Sequence, residues 1–123
     1  MDKLSTIQKR NNLNEIYSVD EIGADGAHHT YRIVTPNELD PTAGVLATIK
    51  FQKGARSETD ETNGVLDADL LEIVRDRLTC FQSGPFACEE TGEALRHITE
   101  ALMWLNKRAE DRATRNVLGK SEK

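Results

Sequence analysis

The 123 residues predict an α+β fold: a small N-terminal antiparallel β-sheet followed by a C-terminal antiparallel helical hairpin. Three observations carry this. Apolar residues cluster in short runs on either side of a Gly23-Ala24-Asp25-Gly26 turn signal, and alternate again from Val45 to Gln52. After Leu66 the apolar spacing lengthens to three and four, the helical period. Ser83-Gly84-Pro85 then interrupts that period, so the helical part folds back on itself.

Residues 1–14 are polar and read as a flexible or partly helical arm. Residues 15–64 form the antiparallel β segment. Ile16, Tyr17, Val19 and Ile22 precede the Asp-Gly turn, and Tyr31, Ile33 and Val34 follow it, as in a hairpin. Pro36 and Pro41 punctuate the next loop. Val45, Ala47, Ile49 and Phe51 supply one face of a third strand, and residues 54–64 a polar loop. Residues 65–119 make the helical hairpin. Asp67 is the N-cap candidate, with Asp69 in the favoured first turn. Leu70, Leu71, Val74, Leu78 and Phe81 form the stripe of the first helix. The second helix begins near Ala87 and reaches Arg115 or Asn116, with Leu95, Ile98, Ala101, Leu102 and Leu105 as its stripe. At ~42 Å it outreaches its partner about twofold, so part of it must pack elsewhere. Gly92 costs about 1 kcal/mol inside a helix, which is offset if it permits close approach of another backbone or a ligand. Residues 120–123 read as a frayed tail.

Only 37% of the residues are hydrophobic and 5% aromatic, against 30% charged. A core this thin predicts oligomerisation. The net charge of −5 argues against a DNA or RNA polymer as partner. No apolar run is long enough to span a membrane, and the N-terminus lacks a signal-peptide core. Cys80 and Cys88 read as free thiols of a reducing cytosol. No His or Cys pair has zinc-type spacing, so neither a metal nor a cofactor is expected.

Catalytic residues are not expected either. His28 and His29 read as exposed polarity at a strand edge. Glu89-Glu90 and Glu110-Asp111 read as exposed helix positions. No Ser or Cys stands beside a base, and no phosphate-binding glycine loop occurs.

Two constellations suit a ligand. Phe81 and Phe86 flank the Gly-Pro bend just before a helix N-terminus. Either both rings cap the hairpin core, or one stacks on a flat base, worth ~1–3 kcal/mol, beside a helix end that favours an anion. Trp104, Arg108 and Arg112 follow one another at single-turn spacing on one helix face, with Arg115 beyond. Either these arginines complement the helix dipole, or they fork a phosphate bidentately, which Lys does poorly.

Residues 69–119 resemble the helical-hairpin domain of the first-described phage Thoeris anti-defence family, a domain shared with anti-CBASS proteins. The resemblance rests on Phe81-Gln82, Gly84-Pro85-Phe86-Ala87-Cys88, Trp104-Leu105, Arg108, Asp111-Arg112 and Arg115. The preceding β-rich segment is similar in character to that family's N-terminal sheet. The resemblance implies a sponge in the cytoplasm of the infected bacterial host. It would bind the immune signal glycocyclic ADP-ribose without cleaving it, and cyclic di- or trinucleotides at separate sites. It implies a homodimer, or a hexamer built as a trimer of dimers. Carried over by position, Phe81 is the stacking ring and Arg108 and Arg112 hold the diphosphate. Thr91 takes the place of a common Asn, and Arg56 is the candidate for the second site. Glu89 stands where the family often has a basic residue. Holding a ligand at 1 μM needs about 8 kcal/mol, which favours a pocket closed between subunits. The rival reading is an oligomeric interaction protein with a protein partner. An enzyme degrading the signal lacks a visible base, nucleophile or metal set.

Overall fold

The chain is described by a computed structural model that covers residues 1–10, 13–36, 39–53 and 64–115. Its elements run β1 (Asp2–Lys3), β2 (Glu15–Ser18), β3 (Thr30–Val34), β4 (Val45–Lys50), α1 (Asp67–Gln82) and α2 (Glu89–Thr114). They fall into a sheet unit, up to Lys53, and a helical unit, from Val65 onward.

The sheet has the order β1-β2-β3-β4, and every neighbouring pair is antiparallel. Tyr17 stands opposite Arg32, Tyr31 opposite Ile49 and Ile33 opposite Ala47. A register shift between Ile33 and Val34 kinks the β3–β4 ladder. β1 is too short for any periodicity to signal it. It is pinned by the Leu4 N–H to the Ile16 carbonyl at 2.8 Å and by a Lys3–Glu15 ion pair at 2.8 Å. Among the described residues only Val34, Ser18 and His29 are buried.

The connection from β2 to β3 is longer than a tight hairpin turn and is organised by carboxylates. Asp20 accepts hydrogen bonds from the backbone N–H groups of His29 and Thr30. Asp25 accepts from the Ala27 N–H at 3.1 Å and from His29 Nε2 at 2.7 Å. Gly26 makes the bend at φ 89°, a conformation few other residues adopt without strain. His29 is therefore 6% exposed. The expectation of two exposed histidines fails for it, because two aspartates within reach make the imidazole worth burying.

The helical unit follows the predicted pattern, with shifted ends. Leu66, not Asp67, is the N-cap, and the Asp69 carboxylate reaches back to the Leu66 N–H at 2.9 Å. Half-buried positions include Ala68, Leu71, Leu78 and Gln82 on α1, with Leu70 beside them, and Thr91, Leu95, Ile98, Leu102 and Ala109 on α2, with Gly92, Thr99 and Arg112 beside them. Both sets recur at three and four, as ridge-and-groove packing requires. Neither helix has a buried residue, however. Val74 and Phe81, predicted within the first stripe, and Ala101 and Leu105, predicted within the second, remain exposed. The apolar surface of each helix is wider than its single neighbour can cover.

Candidate functional site

The bend of the helical hairpin is tightly made. The Ser83 N–H reaches back to the Thr79 and Cys80 carbonyls, and the Gly84 N–H donates to Phe81 at 3.2 Å. The Gln82 side chain then spans the bend: its carbonyl oxygen accepts from the N–H of Cys88, the N-cap of α2, at 3.0 Å. Its amide nitrogen lies where a methyl group at Gly92 would meet it at 3.0 Å. Where another backbone or a ligand was expected at Gly92, the neighbour is instead a side chain from α1. Sequence reasoning did not assign Gln82 this part.

Phe81, in the last turn of α1, is 42% exposed, and Phe86 is 77% exposed. Neither ring is sealed into a core. Phe81 carries the Arg77 guanidinium over its face, 5.5 Å from the ring centroid. Thr91 is half-buried in the first turn of α2, and its hydroxyl oxygen accepts from the Cys88 thiol at 3.2 Å. The Thr91 O–H remains a donor beside the bend. Glu89 and Glu90 occupy the same turn.

Trp104, Arg108 and Arg112 lie far along α2. Trp104 is 70% exposed and Arg108 is exposed, while Arg112 is half-buried in the last turn. Gly92 lies against Gln82, so the helical rise puts Arg108 ~24 Å along α2 from that contact. In one chain the hairpin therefore brings Phe81, Gln82 and Thr91 together at its bend, and Trp104, Arg108 and Arg112 at its far end. It does not bring the two sets to one place. Arg56 lies outside the described residues.

Between the two sets, α2 presents a second apolar face. Ala94, Ala101, Trp104 and Leu105 share the side that carries Arg108, flanking the seam with α1. Several charges elsewhere on the helices are paired at helical spacing. Arg96 bridges Glu93 at 2.7 Å and Glu100 at 2.9 Å, and Lys107 bridges Asp111 at 2.9 Å. The hydrogen bond and charge of Arg96 hold the Glu93 carboxyl below its ordinary value.

In the sheet unit, the His29–Asp25 pair has the geometry of a catalytic dyad but not the setting. His29 Nδ1 is buried and faces Asp20 at 3.8 Å, so the imidazole braces the turn. Burial pushes the Asp20 carboxyl up, but hydrogen bonds from Thr30 and His29 outweigh this and leave it low. Asp25 is held low chiefly by its hydrogen bond from His29. A separate hollow of about 320 Å³, lined by Lys3, Lys9, Arg10 and Glu15 among others, contains none of the predicted site residues. Among the described residues no group of His, Cys, Asp and Glu is arranged to hold a metal ion, and no helix is long and apolar enough to cross a membrane.

The chain can now be set beside known proteins. A relative named "Thoeris anti-defense 1", from Bacillus phage SBSphiJ7, is 47% identical over 81 residues, covering 66% of this chain and 56% of the relative. The chain thus matches little more than half the length of that protein. The model of the family described as "Acb2/Tad1, hairpin domain" matches residues 43–110, which takes in β4, α1, the bend and α2 as far as Glu110. With more than half of its residues inside that match, the chain belongs to the Acb2/Tad1 hairpin-domain family.

Proposed function

We propose that the chain is a phage anti-defence protein that blocks Thoeris immunity by holding its signal, glycocyclic ADP-ribose, without cleaving it. The supporting relative carries the name Thoeris anti-defense 1. In this reading Phe81 stacks on the base, Thr91 donates to a polar edge, and Arg108 and Arg112 hold the diphosphate. The protein acts in the cytoplasm of the infected host. Cyclic di- or trinucleotides are further candidate ligands, with Arg56 as the candidate contact.

The observation that carries the reading is the separation of the two residue sets along one hairpin. A ring at the bend and guanidinium groups ~24 Å away can share a ligand only when a second copy supplies one of them. A copy packed antiparallel on the exposed Ala94–Ala101–Trp104–Leu105 face would carry its Arg108 toward the first copy's Phe81. The same packing would cover apolar surface that a lone chain leaves in water. Function and assembly, as a dimer or a hexamer of three dimers, are therefore one proposal. Excluding water between subunits also strengthens each charge-assisted contact.

Titration calorimetry with glycocyclic ADP-ribose tests this. Binding should be submicromolar, and heating the complex should return the ligand with unchanged mass. Phe81→Ala and Arg108→Ala should each weaken binding at least tenfold while the helical circular dichroism stays intact. A hydrolysed ligand would overturn sequestration, and unchanged affinity in both variants would remove the site. The exposed Trp104 and Met103 also suit a second reading, an oligomer that docks on a protein. Silence of the calorimeter across cyclic ADP-ribose isomers and cyclic oligonucleotides would favour it.

A further inference from the structure

Arg77 is distinguished by what it lacks at helical spacing. The positions three and four residues away are Ile73, Val74, Cys80 and Phe81, none of them acidic. Arg75 and Arg96, by contrast, have acids there: Arg75 pairs with Glu72 at 3.2 Å, and Arg96 with Glu93 and Glu100. With no carboxylate available along its own helix, the Arg77 guanidinium turns to the aromatic one turn ahead and rests over Phe81, 5.5 Å from its centroid. Phe81 still has 42% of its surface in solvent with that cation in place. The ring's backbone is fixed on the other side by Gln82, whose side chain is tied to Cys88 at 3.0 Å.

We infer that Arg77 is a positioning and selectivity residue of the Phe81 site: it holds the ring, occupies one of its faces, and leaves the other for a single flat base. This rests on the reading of Phe81 given above. Two consequences follow from the chemistry. First, the ring is presented in one orientation before a ligand arrives, so less ordering is left to the binding step. Second, a cation on one face draws electron density through the ring. The open face then favours an electron-rich purine. An unpaired guanidinium beside a stacked base also attracts that base's phosphates, which makes binding more sensitive to salt.

The test is calorimetry with glycocyclic ADP-ribose on the full chain, comparing wild type, Phe81→Ala, Arg77→Met and Arg77→Lys at two ionic strengths. Met keeps helix propensity and most of the side-chain length, and circular dichroism checks that the hairpin is retained. Phe81→Ala should lose at least tenfold in affinity. Arg77→Met should lose two- to fivefold, which corresponds to about 0.5–1 kcal/mol for an exposed cation–π contact, and should flatten the salt dependence. Arg77→Lys should restore the salt dependence while recovering only part of the affinity, because an ammonium is not planar. If Phe81→Ala weakens binding and Arg77→Met matches wild type in affinity and salt dependence, the inference fails and the Phe81 site stands. If Phe81→Ala also binds like wild type, the site itself fails. A loss in Arg77→Met with no change in salt dependence, fully recovered by Lys, would reduce Arg77 to a prop for the ring and overturn its selectivity.

Discussion

The sheet unit and the helical unit handle the same shortage of apolar residues in opposite ways. The sheet buries polar groups and pairs most of their atoms: Ser18 and His29 lie inside with Val34, and the Asp20 and Asp25 carboxylates take up N–H groups of the β2–β3 turn, leaving His29 Nδ1 facing Asp20 at 3.8 Å. The hairpin buries nothing fully and leaves Ile73, Phe81, Met103 and Trp104 in solvent. One unit is closed by its own hydrogen bonds. The other leaves apolar side chains in solvent, the surface on which the proposed assembly would form.

The largest expected effect tests the openness of the hairpin. Trp104→Glu changes a side chain that is 70% exposed in one chain. A lone chain should absorb it within about 0.5 kcal/mol. In an assembly that covers this face it should cost at least ~2 kcal/mol of association, seen as dissociation to monomers by light scattering. Unchanged mass and stability would mean the face is simply solvated. Next is the seam: Leu102→Ala should lower hairpin stability by about 1–3 kcal/mol in thermal melts, less than a fully buried leucine, since the site is only half covered.

A smaller, signed effect concerns Gln82 and Gly92. In a Gln82→Ala background, Gly92→Ala should stabilise the hairpin by ~1 kcal/mol through helix propensity. With Gln82 present the gain should shrink or reverse, because the new methyl meets the amide at 3.0 Å. A double-mutant cycle that is additive would show the two residues do not touch. Smallest is the response to acid. Asp20 and Asp25 are held below the ordinary aspartate value in the folded sheet. Their contribution is present above the unfolded value of about 3.9 and is lost as pH falls through the lower folded values. Tyr17 and Tyr31 signals should therefore shift below about pH 4 while helical ellipticity persists, since the Glu93 pairing on α2 is exposed and worth little. Simultaneous loss of both would show that the units do not melt separately.

Much of the fold was legible because periodicity is a local property. The strands around Tyr17, Tyr31 and Ile49 and the helices around Leu78 and Leu102 were all read from spacing alone. Burial is not local, and there the reading ran out. The stripe containing Val74, Phe81, Ala101 and Leu105 has the right period, yet one neighbouring helix cannot cover it, and sequence does not say how many neighbours there are. His29 was misjudged for a related reason: its partners Asp20 and Asp25 are brought to it by the path of the turn, not by any regular spacing. For the site, sequence identified residue types suited to base and phosphate, but said nothing about their lying at opposite ends of one hairpin.

The fit between Gln82 and Gly92 also has a historical consequence. A lineage gains little by exchanging that glycine for a larger residue while its glutamine stays in place, and shortening the glutamine alone gives up its bond to the Cys88 amide. The two codons should therefore be replaced together, and sequencing of divergent phage genomes should find their substitutions paired.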